Sequence, residues 1–127
     1  MDARAALAEL TELSSQVEAA AVLDADGKAQ ASTPDDAVTA ERLAAAARDA
    51  LEAAGAVRAA AEVTRVEVTL PEGGLFVVRE GGRTAVATTI PEPTAGLVLY
   101  DLRTCLRRLD EPKPKPKPSR RRKTDDA

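Results

Sequence analysis

Thr64-Arg65-Val66-Glu67-Val68-Thr69-Leu70 is followed by Pro71-Glu72-Gly73-Gly74, then Leu75-Phe76-Val77-Val78-Arg79-Glu80, then Gly81-Gly82, then Arg83 to Thr89. The first run has a period of two. Thr64, Val66, Val68 and Leu70 share one face and Arg65, Glu67 and Thr69 the other, because side chains alternate along a strand. Pro71 to Gly74 reads as a turn. Leu75 to Val78 is apolar on both faces, which suits a central strand. Gly81-Gly82 suits a tight hairpin turn, and the chain returns over Arg83 to Thr89. These residues predict a three-stranded antiparallel meander.

Helical spacing flanks the meander on both sides. Ile90-Pro91-Glu92-Pro93 is a rigid connector, and Thr94 can cap a helix over Ala95 to Leu109. Its apolar stripe is Ala95, Val98, Leu99, Leu102, Cys105, Leu106 and Leu109. Ala3, Ala6, Leu7, Leu10, Leu13, Ser14 and Val17 repeat that spacing at the start of the chain, with Asp2 placed to favour the helix dipole. Two helices with one narrow stripe each can lie side by side on one sheet face.

A third helix runs to about Ala54 and stops at Gly55. Thr33-Pro34-Asp35-Asp36 is a good start for it, and Thr39 followed by Glu41 is an alternative. Leu43, Ala46, Ala47, Ala50, Leu51, Ala53, Ala54 and Val57 spread over an arc of roughly 180°. Either this helix packs against two neighbours, or alanine fills exposed positions because its helix propensity is high. Between the first two helices, Val17 to Leu23 and Lys28 to Ser32 form a hairpin turning at Asp24-Ala25-Asp26-Gly27. The Asp-x-Asp-Gly string has part of a calcium loop's spacing, but Lys28 and Asp35 stand where a third acid and a closing Glu are needed, so a plain turn is the reading.

The element order is helix, two strands, helix, three strands, helix: an α+β domain with a five-stranded antiparallel sheet. Two one-sided helices take one face and the Ala-rich helix takes the other. One short helix covers five strands poorly, so a second copy from a partner chain fits there.

Composition narrows the chemistry. The chain has 127 residues, 27 of them alanine, with no His or Trp and a single Phe, Tyr, Met and Cys. Without His there is no Ser-His or Cys-His nucleophile pair and no imidazole metal ligand. One Cys makes no internal disulfide, and Cys105 falls in an apolar stripe as a buried small residue. There is no apolar run of the roughly 20 residues a membrane helix needs. These features suit a cytoplasmic location. Asp24 with Asp26, and Asp35 with Asp36, lie in turn or cap positions where solvation keeps carboxylates ordinary. Gly73-Gly74 and Gly81-Gly82 lack the Gly-Lys-Ser/Thr string of a phosphate loop. We expect no catalysis, cofactor or metal.

The net charge of -3 divides into -6 over residues 1–109 and +3 over 110–127. Pro112-Lys113-Pro114-Lys115-Pro116-Lys117-Pro118 precedes Ser119 and Arg120-Arg121-Arg122-Lys123. Alternate prolines and like charges predict an extended, disordered tail after a domain ending near Leu109. Its seven cations suit an anionic partner, either nucleic acid phosphates or a membrane surface, or else non-specific solubilisation. No aromatic residue is interleaved for base stacking, so no specific nucleic acid is expected.

The element order and several local strings resemble the roadblock family, the dynein-light-chain and MglB-like domains, over about residues 3 to 109. The matching pieces are the opening helix, Ala-Val-Leu-Asp-x-Asp-Gly at 21 to 27, Val-Glu-Val at 66 to 68, and Ala95-Gly96-Leu97-Val98-Leu99-Tyr100. The resemblance implies a homodimer that joins third-strand edges and pairs the middle helices, here residues 63–70 and 40–57. Its interface would use Leu43, Ala46, Ala47, Ala50, Leu51, Ala54, Arg65 and Glu67. It also implies a role as scaffold or regulator of a Ras-like small GTPase, carried by a surface. A candidate surface is Leu97, Tyr100 and Thr104, turned from the helix stripe and flanked by Asp101, Arg103, Arg107 and Arg108. The alternative is that Leu97 and Tyr100 tuck against the Pro91–Pro93 connector or the first helix. A small sensor or signalling adaptor domain is the other function class. It needs a roomy pocket with aromatic lining, which one Phe and one Tyr supply poorly.

Overall fold

The computed structural model describes residues 1–57 and 62–110. Its elements are α1 (Ala3–Leu13), β1 (Val17–Leu23), β2 (Ala29–Thr33), α2 (Ala37–Gly55), β3 (Arg65–Leu70), β4 (Gly73–Glu80), β5 (Arg83–Thr89) and α3 (Ala95–Asp110). The expected order of elements holds. The strands form one antiparallel sheet in the order β2-β1-β5-β4-β3. The meander occupies one half of the sheet, and the β1–β2 hairpin adds to it through β1 on β5.

Strand alternation separates two cores. Ala20 and Val22, Phe76 and Val78, and Ala85 and Ala87 face α1 and α3, which contribute Leu7, Leu10, Val98 and Leu102 among others. Ala21, Leu23, Val77 and Val86 face the opposite way and meet Leu43, Ala44 and Ala47 of α2. Alanine is a poor strand former, yet Ala20, Ala21 and Ala87 have no exposed surface. Burial between helices on both faces overrides local propensity here, and the small side chains let the helices approach.

Local chemistry sets the helix ends. Asp2 caps α1 by accepting from the Ala5 amide at 2.8 Å. The cap of α2 is Asp36, which accepts from the Thr39 amide at 2.7 Å and from its hydroxyl at 2.8 Å. The helix therefore starts between the two expected positions, and Pro34 stands outside it. At α3 the Leu97 and Val98 amides donate to the Thr94 carbonyl.

Three expectations need correction. Leu13 is 65% exposed and Val17 belongs to β1, because α1 ends at Leu13 where the Ser14 amide closes onto the Leu10 carbonyl. Gly73 and Gly74 are strand residues opposite Leu70 and Thr69, so the turn is shorter than expected. The second strand covers Ala29–Thr33, one residue later than expected. The predicted basic tail, with Lys113, Lys115, Lys117, Arg120, Arg121, Arg122 and Lys123, lies outside the described residues.

Candidate protein–protein interface

The sheet has two edges, and they differ. β2 has five residues, leads into Pro34 and is packed by both α1 and α2. β3 has six residues, and α2 is the helix packed on it. Arg65, Glu67 and Thr69 are exposed, Val66 is half-buried on the α2 side, and Val68 is half-buried opposite Leu75. In register, Arg65 lies opposite Val78 and Glu67 opposite Phe76. Directly opposed residues share a face, so the Arg65 and Glu67 side chains project on the α1/α3 side. An open edge with unpaired amides and carbonyls is a template for another strand.

The expected interface residues of α2 fall into two groups. Leu43 and Ala47 are buried beneath the helix against this chain's own sheet, at 4% and 0% exposure. Ala46, Ala50, Leu51 and Ala54 are half-buried. Arg42 and Ala46 line a hollow with Glu18 of β1, Thr88 and Thr89 of β5, Leu75 of β4 and Leu70 at the end of β3, so that flank of α2 faces one end of these strands. Asp49 and Ala53 continue the flank at helical spacing and are exposed. Arg42 and Asp49 lie outside the apolar arc of the helix. Their spacing with Ala46 and Ala53 is the signal the sequence carries for them, and an apolar pattern does not register it.

The other half of α2 is tied down. Arg48 donates to the Gly27 carbonyl at 2.7 Å and pairs with Glu41 at 3.0 Å. Asp24 accepts from the Asp26 and Lys28 amides at 2.8 and 3.0 Å, so its carboxylate shapes the hairpin turn.

On α3, Leu97 and Tyr100 are 55% and 63% exposed and are therefore not covered by the connector or by α1. Thr104 is half-buried and its hydroxyl donates to the Tyr100 carbonyl at 2.9 Å. Two of the expected flanking cations are engaged: Arg107 with Glu80 at 3.1 Å and Arg108 with Glu9 at 2.7 Å. A hollow of about 610 Å³ opens beside the start of α3, with Phe76 at its base and Pro71, Pro91 and Pro93 along its rim. The sequence hinted at it only through those prolines.

Cys105 is buried, and desolvation, with a smaller contribution from Glu9, pushes its thiol up to about 11. Among the described residues no helix is long and apolar enough to cross a membrane, and no acidic or cysteine cluster is built to hold a metal.

No family model matches the sequence, and no curated protein matches it. Solved structures do match. A Roadblock/LC7 domain from Streptomyces avermitilis aligns at a TM-score of 0.70 and 20% identity, over 81% of this chain and 90% of that one. A second Roadblock/LC7 domain structure from that organism aligns at 0.66 and 23% identity, over 81% and 93%. Myxococcus xanthus MglB aligns at 0.60 and 17% identity, over 80% and 85%. At such identities the likeness is one of architecture, and with the element order and strand order above it establishes that this chain has the roadblock/LC7 fold.

Proposed function

We propose that the chain is a non-catalytic, cytoplasmic homodimeric regulator or scaffold whose partner is a Ras-like small GTPase, modulating that partner's nucleotide state or localisation. The observation that carries the dimer is the open β3 edge, together with an α2 flank of small and charged residues. Arg42 and Asp49 sit on that flank about two turns apart with Ala46 between them. Two antiparallel copies of α2 would bring each Arg42 near the other's Asp49 across alanines that allow close approach. Neither residue forms a direct ion pair among the described residues, though the charge of Arg42 reaches the Asp36 carboxylate.

The GTPase part rests on the family resemblance, and the exposed Leu97–Tyr100 step is the surface we assign to that partner. The Pro/Lys/Arg tail adds weak contact with anionic surfaces. Sedimentation equilibrium at micromolar concentration tests the dimer, and a monomer mass overturns it. Affinity capture by the tagged protein from its native cells, read by mass spectrometry, should identify a small GTPase. The Leu97→Ser, Tyr100→Ser double variant should keep the parent's melting temperature and lose that capture. Capture of no GTPase by the wild type overturns the partner reading.

A further inference from the structure

We propose that two copies join through β3 in a single register centred on Val66, with Arg65 of each copy opposite Glu67 of the partner subunit. This rests on the homodimer reading and adds what fixes its alignment.

The ladder identifies the backbone groups available at the edge. The Arg79 amide donates to the Thr64 carbonyl at 2.9 Å, so Thr64 turns its backbone groups towards β4. Alternation along an antiparallel ladder turns Val66 and Val68 the same way. Arg65, Glu67 and Thr69 therefore present their N–H and C=O groups to the open side.

Symmetry then limits the registers. A two-fold axis normal to the sheet keeps both α2 helices on one face. Opposed residues of an antiparallel pair share a face, and neighbours along a strand do not. The axis must therefore pass through a residue, not between two.

Among the registers centred on residues 65 to 68, which keep most of β3 paired, charge selects one. Centring on Arg65 sets Arg65 against Arg65, and centring on Glu67 sets Glu67 against Glu67. Centring on Val68 puts Arg65 opposite Pro71, which has no N–H to give. Centring on Val66 makes Arg65 and Glu67 a hydrogen-bonded backbone pair twice over, with opposite charges facing each other each time. It also brings Val66 against Val66 as a close, non-hydrogen-bonded pair on the α2 side. Neither Arg65 nor Glu67 forms an ion pair among the described residues of its own chain. Both are exposed, so the pairs act on alignment more than on affinity.

The test uses the full chain. Arg65→Glu and Glu67→Arg should each weaken the homodimer roughly ten- to thirtyfold, since two attractive pairs become repulsive. Mixed together, the two variants should form a heterodimer of near wild-type affinity. A Val66→Cys variant should give a disulfide-linked dimer under mild oxidation, because a non-hydrogen-bonded pair holds its Cα atoms at about 4.5 Å, within disulfide reach. A wild-type dimer in which Glu67→Cys crosslinks and Val66→Cys does not overturns the register and leaves the dimer standing. Failure of the mixed variants to recover affinity overturns the charge pairing. A wild-type monomer overturns the dimer and the register together.

Discussion

Arg108 of α3 holds Glu9 of α1 with two parallel hydrogen bonds, Nε to Oε1 at 2.7 Å and Nη2 to Oε2 at 2.8 Å. Ninety-nine residues separate them in sequence. The planar fork of the guanidinium matches a carboxylate in this geometry and ties α3 to α1. The hydrogen bond from Arg108 is the main reason that the Glu9 carboxyl is held below its ordinary range.

That shift gives a pH dependence with a definite sign. Asp36 is also lowered, first by the Thr39 amide and then by the Thr39 hydroxyl. A carboxyl with a lowered folded pKa contributes its full stability above its unfolded value and loses it as pH falls through the folded one. Urea midpoints should therefore be flat near neutrality and fall below the ordinary carboxylate range. Glu9→Gln should make that acid limb shallower. An unchanged limb in the variant would show that the pair is not linked to folding.

Gly73 is a tight steric point. Its φ is +149°, and a Cβ placed there would stand 1.9 Å from the Thr89 carbonyl oxygen. Gly74 beside it donates its amide to the buried Thr89 hydroxyl at 3.0 Å. Gly73→Ala should cost about 3 kcal/mol, because the atoms a Cβ would meet, in Thr89 and Ile90, are backbone and cannot step aside. Urea unfolding measures it, and Gly82→Ala is the comparison, since a Cβ there meets nothing within 4 Å and only its φ is strained.

Two neighbouring alanines of α2 should fail in different ways. Ala47 has no exposed surface and Ala46 is half-buried on the flank it shares with Arg42. Ala47→Glu should cost several kcal/mol by burying a charge and should lose the folded circular-dichroism spectrum. Ala46→Glu should stay folded and dissociate in sedimentation. A folded monomer from the first variant would contradict the packing of α2.

Cys105 should be slow to react. With its pKa at about 11 and its side chain buried, little thiolate exists at neutral pH. Modification by a thiol reagent should be slow below pH 9 and become rapid in denaturing urea. Rapid labelling of the native protein would show that the α1/α3 core opens.

Periodicity by itself determined most of the architecture. A period of two over residues 64–70, matched stripes in the first and last helices, and the glycine pair at 81 and 82 specify the elements and their order, because each reports a local choice of backbone. Boundaries were less legible. Asp36 and Thr33 are both good caps, and which one caps depends on where the chain leaves β2. Only the tertiary structure decided that β1 pairs with β5, leaving β3 open while β2 is packed by two helices. Strand order depends on contacts between distant residues, and no local pattern encodes those. The same holds for α2. Its apolar arc was visible in the sequence, but an alanine is compatible with burial, with a close helix contact and with solvent. The sheet beneath divides them: Ala44 and Ala47 are buried against this chain's own strands, Ala46 is half-buried and Ala53 is exposed.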